Sequence, residues 1–321
     1  MLAYLIRRLL QSILVLFIVI VITFTLPYFQ PGGILAPAYI ELGTHISHQA
    51  VMVWAAQNGM DHPYLVRLWE YLVQLIGHGN LGYSYRNNQS VWSIISLFIP
   101  RTIWLALSSF ILTLLIAIPL GMYQARRRNT FFDYTATGVA FFLYAMPAFL
   151  LCLLMIQIFS FGISHLPSVA PTGVAPWAMF TNPVPFILPV ACLTLLSVAG
   201  LSRFMRGSVL EVLVQDYIRT ARAKGASSRR VLFKHAFRNA LGPIITLLGL
   251  SLPALFGGAL IIEEVFNYQG LGYETVVAAQ SFDIPTVIGI TLLISVFTLL
   301  GNLLADIGLG IVNPRIRIEQ K

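Results

Sequence analysis

The sequence predicts an all-α integral membrane protein that crosses the bilayer six times, and three observations carry that expectation. Hydrophobic residues make up 57% of the 321 and charged residues 10%, whereas a soluble domain is about one quarter charged. Apolar runs lie near 9–28, 102–123, 135–160, 184–202, 241–262 and 286–309, each close to the roughly 20 residues that span a ~30 Å hydrocarbon layer. The basic residues are segregated: 17 of the 20 Lys and Arg sit at the two termini or in the gaps after the second and fourth runs. The positive-inside rule then places both termini in the cytoplasm. Backbone amides in lipid must bond within their own segment, so each run is expected to be a helix.

The first run follows Arg7 and Arg8, which gives it the look of a signal peptide. It is longer than an ordinary signal core and no small-residue cleavage site follows closely, so an uncleaved first span is expected over 1–28. The region 29–100 reads as a large external loop. Within it "YLVRLWEYLVQLIGH" (64–78) sets apolar residues at helical spacing with Arg67 and Glu70 on another face. That pattern predicts an amphipathic helix lying on the membrane or against a partner. "GNLGYSYRNNQSV" (79–91) reads as a turn-forming segment. His45 and His48 have a metal-compatible spacing, but no third ligand is near them in sequence, and no metal site is expected.

The remaining 101–321 forms a five-helix core. Pro119, Pro147, Pro189 and Pro253 fall within or near the runs, where they kink helices or free carbonyls along a pathway. Met146, Pro147 and Phe149 in the third run are candidate pathway residues, with Phe142 and Tyr144 beside them. Glu263 and Glu264, at the mouth of the fifth run, join them because carboxylates there are costly unless they serve a purpose. Glu274 and Asp283, further along the same acidic loop, read as solvated. Asn302 and Asp306 stand four apart on one face of the last run, suited to pairing with a base or to facing the pathway. Cys152 and Cys192 both lie in apolar runs and read as buried free thiols.

The net charge of +8 invites a nucleic-acid reading, and 216–240 sharpens it with seven basic residues and Ala221-x-x-x-Gly225 followed by Val231. That spacing imitates a helix-turn-helix. The segment offers only two helical pieces between spans, without the third helix of such a domain, and its bases lie where topology wants them. No nucleic-acid partner is expected. The elbow itself is predicted as a short helix over 216–224, broken at Gly225 and resumed from about Ser227, with Tyr217, Ala221 and Val231 as packing residues. There is no phosphate loop, zinc-protease motif or nucleophile elbow, so no catalytic residue is assigned and any ATP-driven work must come from a partner. A stand-alone secondary transporter is the alternative, but no internal repeat is visible and intramembrane ionisable residues are few.

Seven stretches in order, "YLIRRLL" (4–10), "GNLGYSY" (79–85), "AMPAFL" (145–150), "QDYIRTARAKGAS" (215–227), "HAFRNAL" (235–241), "FNYQGLGYETVVAAQSFDIP" (266–285) and "NPRIRI" (313–318), resemble the B-type permease subunit of oligopeptide and dipeptide ABC importers. That family also includes nickel and glutathione transporters. The resemblance covers nearly the whole chain and implies the type I ABC importer fold in a bacterial inner membrane. It implies a second, related permease subunit as a heterodimeric partner, two cytoplasmic ATPases carrying ATP and magnesium, and an external solute-binding protein. This chain would bind no cofactor itself, and lipid would surround it. The stretch 204–240 corresponds to the cytoplasmic coupling loop. Aligned on Gly225, the wider class motif E-A-A-x-x-x-G falls on Arg219, Thr220 and Ala221, so a basic residue stands where that class has Glu. Asp216, Tyr217, Arg222, Lys224, Ala226 and Val231 complete the candidate coupling set. Gln269, where Pro is common, and Asn313, where Asp is common, are the other departures.

Overall fold

The protein's computed structural model describes residues 2–29, 33–42, 47–84, 86–175, 177–241, 244 and 259–312. The helices are α1 (Leu2–Thr25), α2 (Ala36–Leu42), α3 (His48–Gln57), α4 (Tyr64–His78), α5 (Val91–Arg126), α6 (Phe131–Ala145) and α7 (Ala148–Met155). They continue with α8 (Ala178–Thr181), α9 (Ile187–Leu213), α10 (Asp216–Ala223), α11 (Ser228–Arg230), α12 (259–265), α13 (Leu271–Gln280) and α14 (Ile284–Val312). A small hairpin pairs β1 (Tyr83–Ser84) with β2 (Gln89–Ser90), antiparallel, with Tyr83 opposite Ser90.

Four helical segments among the described residues are long and apolar enough to cross a membrane: Leu10–Phe29, Val91–Arg126, Val184–Leu213 and Ile284–Leu303. The third run is kinked at Pro147, more sharply than a bend within one helix. It is a pair, Phe131–Ala145 and Ala148–Gly162, bent by 109°. Pro147 is the cause: it has no N–H to continue the ladder, and it pushes its predecessor out of the helical region. Met146 is accordingly extended (φ −76, ψ 129), and Pro147 caps the helix that follows. Most of the fifth run, 242–243 and 245–258 with Pro253, lies outside the described residues, as do His45 and 313–321.

The chain divides into two compact units, Met1–Arg101 with Gln269–Leu299, and Thr102–Tyr268 with Leu300–Lys321. In the first, α4 is the helix its periodicity predicts. Its inner face closes a core of Ile20, Leu68, Ile288 and Leu292, while Leu65, Trp69 and Ile76 remain exposed. Arg67 donates to the Tyr28 hydroxyl at 2.8 Å and lies 5.7 Å from the Phe24 ring centre. In the same unit Asp283 and Glu274 correct the expectation of solvated acids: they are 4% and 6% exposed. Asp283 is the residue before α14, and its carboxylate accepts from Ser84 Oγ at 2.5 Å and Thr286 Oγ1 at 2.7 Å. The carboxylate at the start of α14 therefore joins Ser84 of the hairpin to Thr286 in the first turn of the helix, which ties the hairpin to α14.

In the second unit one core gathers Leu105, Cys152, Leu188, Cys192, Ile262 and Phe266 among others. A second joins Ala117, Met122, Val198, Met205, Val209 and Leu232. Both cysteines are buried and free, as read. Gly121 lets α5 approach α9 closely, since a Cβ there would stand 2.5 Å from the Ser202 carbonyl oxygen and 2.8 Å from Met205 Cβ. Small residues serve this purpose widely between membrane helices. Asp133, 1% exposed, accepts from Arg206 Nε at 2.7 Å and Nη2 at 2.8 Å. This two-point pair fixes the start of α6 against α9 a short way before the elbow.

Candidate coupling site

The elbow begins where α9 ends. Gln215 is extended (φ −70, ψ 150) and starts α10, with Asp216 in the first turn and Arg222 in the last. Both charges suit the helix dipole. The stop is made by Gly225, whose φ of +82 is a left-handed conformation that costs an L side chain roughly 1–2 kcal/mol. Its N–H bonds the Arg222 carbonyl at 2.9 Å, and the Ala226 N–H reaches back to the Ala221 carbonyl at 3.1 Å. These are the two bonds of a Schellman ending. A Cβ at Gly225 would meet nothing within 4 Å, so within this chain the glycine is required by its backbone angle and not by crowding. Ser227 then caps the next helix, accepting from Arg230 N–H at 3.4 Å. α11 runs on through a π-helical turn, Val231–Ala236, into helical residues 237–241.

The elbow holds its angle through a small core. Ile218, Val231 and Ala236 are at most 1% exposed, and Leu232 is 5% exposed. Val231 is thus the packing residue the sequence suggests, and Ile218 is one it did not single out. The apolar positions of so short a charged segment are too few to show a period. Tyr217 is 44% exposed and Ala221 half-buried. They line a cleft instead, together with Thr220, Lys224, Ala226, Arg230 and His235. The cleft has a volume of about 400 Å³. Arg219 is outside it, exposed, and touches Asp216 at 3.4 Å, a contact between solvated side chains that contributes little. Arg222 is exposed as well.

The candidate pathway residues are not drawn into one such group. Met146 is half-buried at the edge of the first core of its unit, while Pro147 and Phe149 are exposed. Glu263 is fully buried and accepts from Thr102 Oγ1 at 2.7 Å, whereas its neighbour Glu264 is exposed. Asn302 is half-buried, and the side chain of Asp306 lies outside the described residues. Tyr144 has a partner 59 residues away along the chain, with no local signal for it. Arg203 sits 5.4 Å from its ring centre and 3.8 Å from that of Phe141, which joins α6 to α9 by cation–π attraction.

Several helices long and apolar enough to cross a membrane, with a basic, capped elbow after α9, define a multi-pass membrane protein. The chain belongs to the family described as the binding-protein-dependent transport system inner membrane component, matched over residues 117–318, and its N-terminal counterpart is matched over 1–106. It is a B-type permease of the peptide and glutathione ABC importers, a multi-pass protein of the inner membrane. It is 36% identical over 318 residues to the oligopeptide transport system permease protein AppB of Bacillus subtilis, covering 98% of this chain and 99% of that protein. It is 36% identical over 320 residues to the glutathione transport system permease protein GsiC of Escherichia coli K12, covering 99% and 100%. Among solved structures, the inward-facing MetNI methionine ABC transporter shares the fold, with a TM-score of 0.56 and 17% identity over 69% of this chain and 97% of that one.

Proposed function

We propose that this chain is half of the membrane pathway of an importer for di- or oligopeptides, delivered by an external solute-binding protein. In this reading it pairs with a second, related permease and is driven by two cytoplasmic ATPases that bind ATP and magnesium. The full-length likeness to an oligopeptide permease is the observation that carries the substrate class. The equal likeness to a glutathione permease favours glutathione, itself a tripeptide, as the second reading, and nickel follows only from the wider family. Six spans with both termini in the cytoplasm fit the distribution of basic residues. The elbow then faces the ATPases, and rigid-body motion of a docked elbow passes directly into α9 and the helix that follows α11.

The test is uptake by the assembled complex in proteoliposomes containing ATP, offered labelled dipeptides, longer peptides, glutathione and nickel. Peptide uptake is expected. Transport by this chain alone on an ion gradient would overturn the reading. Gly225→Trp should insert into the membrane normally yet separate ATP hydrolysis from uptake, and normal uptake by that variant would refute the docking role of the elbow.

A further inference from the structure

The helix α4 has three faces and not two. At about 100° per residue, Tyr64, Leu68, Tyr71, Leu72 and Leu75 fall within one arc, and they pack with residues of α1 and α14. Arg67, Glu70, Gln74 and His78 form a polar strip about 100° wide. Leu65, Val66, Trp69, Val73 and Ile76 fill the remaining arc, and all five are exposed, Ile76 by 81% and Leu65 by 74%. Apolar residues thus cover about 220° of the helix, and roughly half of that arc is left exposed. A surface helix in water needs only the stripe that faces its core.

The depth of α4 says what covers the exposed arc. Leu68 shares a core with Ile20 of the first span and with Ile288 and Leu292 of the last. Ile20 stands nine residues before the end of the span Leu10–Phe29, and Leu292 eight residues after the start of Ile284–Leu303. These positions lie about 12 Å inside the span ends, or about 9 Å at the steepest usual tilt of ~40°. Interfacial helices bury their apolar face about 5–10 Å deep, which is the level this core sets. The polar strip stands opposite the middle of the apolar arc, so it turns to water while one apolar flank meets α1 and α14 and the other meets the acyl chains. Beside it α1 continues the same surface, with Ile18, Ile22 and Leu26 exposed. A second membrane subunit is the competing cover. Contacts between membrane helices favour Gly, Ala, Ser and Thr, and the exposed arc contains none of these. Its one side chain with a polar atom is Trp69, a residue favoured at the membrane–water boundary.

We propose that α4 is seated in the bilayer, with lipid acyl chains covering Leu65, Val66, Trp69, Val73 and Ile76, and that it anchors the end of α1 at the boundary. The Thr25 and Tyr64 hydroxyls are hydrogen-bonded at 2.8 Å, and Arg67, at the edge of the polar strip, reaches the Tyr28 hydroxyl. These bonds hold the span end to the embedded helix. Residues 64–78 are then part of the membrane domain and not of an aqueous loop. The embedding is independent of which side the termini take; that the leaflet is the outer one rests on the orientation proposed above.

The experiment places single spin labels on the permease, assembled with its partner subunits in vesicles of phosphatidylethanolamine and phosphatidylglycerol. Trp69→Cys and Ile76→Cys report the exposed arc, and Glu70→Cys and Gln74→Cys the polar strip. Cys152 and Cys192 are fully buried and do not compete for label. At positions 69 and 76 relaxation by oxygen should exceed that by a water-soluble nickel chelate at least fivefold, and at 70 and 74 the chelate should dominate. Ready access of the chelate to 69 and 76 would overturn the proposal, and so would exclusion of both reagents, the sign of a protein cover. A benzophenone amino acid at Trp69 gives a second reading without a cysteine. Phospholipid is expected in its crosslink, and capture of the second permease or the binding protein would refute the proposal. In intact cells Glu70→Cys should react with an impermeant maleimide; reaction only after permeabilisation would overturn the orientation and leave the embedding in place.

Discussion

Around Asp283 the polar side chains point at one another. Ser84 and Thr286 both donate to its carboxylate, Arg86 donates to Ser281 Oγ at 3.1 Å, and Asp283 and Glu274 are buried. Around Gly225 they stay in solvent, for Arg222, Lys224, Arg229 and Arg230 are exposed and the one ion pair found there is loose. The chain as a whole has few charges, so the contrast is informative. Most polar groups taken out of water are hydrogen-bonded within the fold, and Asp283, through its Oδ2, holds the hairpin to α14 in this way. Cations left solvated on a well-packed elbow contribute little to folding and remain available to something else.

That comparison can be broken by substitution. The largest effect is expected from a third site of the first kind, Asp133. Asp133→Asn leaves Arg206 without its two-point partner and should cost about 3 kcal/mol, the low end for breaking a buried pair, because Arg206 is 27% exposed. Denaturant unfolding of the detergent-solubilised protein measures it, and exchanging the two residues should recover part of the loss. Asp283→Ala leaves the Ser84 and Thr286 hydroxyls without their acceptor and should cost about 2 kcal/mol, while Asp283→Asn, which can still accept from both, should cost less than half as much. Equal losses would show that these two bonds are not what matters there.

Glu274 gives a smaller, pH-dependent effect. Burial pushes its carboxyl above the ordinary range, the charge of Asp283 adds to the shift, and Arg86 opposes it. A carboxyl that binds its proton more tightly when folded favours the folded state at acidic pH. That contribution fades as pH rises from the ordinary carboxylate range through the raised value. Glu274→Gln should therefore raise the thermal midpoint at neutral pH and leave it unchanged at the acid end of the range; a gain at both ends would refute the assignment. The smallest effect belongs to the elbow. Arg219→Ala should not measurably change the thermal midpoint, since its contact with Asp216 joins two solvated side chains.

Much of this protein was legible in its sequence because the bilayer imposes one-dimensional constraints. Span length and helical backbone both follow from where apolar residues fall along the chain. The elbow was legible for a related reason. A left-handed glycine ending one helix and a serine starting the next are local signals that act within a few residues. The break at Pro147 was only half legible, since proline bends some membrane helices and is absorbed by others, and the neighbours decide which.

What the sequence determined by itself is the class: a polytopic helical permease of the ABC importer family that includes peptide, glutathione and nickel transporters, with a charged elbow between its fourth and fifth apolar runs. Only the tertiary structure decided which polar groups are spent inside the fold. Asp133 meets Arg206 across 73 residues, Glu263 meets Thr102 across 161, and Asp283 meets Ser84 across 199. Separations of that size leave no periodic trace, because the partner of a buried charge is chosen by helix packing and not by distance along the chain. The same packing decided that Ile218 is core while Tyr217 and Ala221 open onto a cleft.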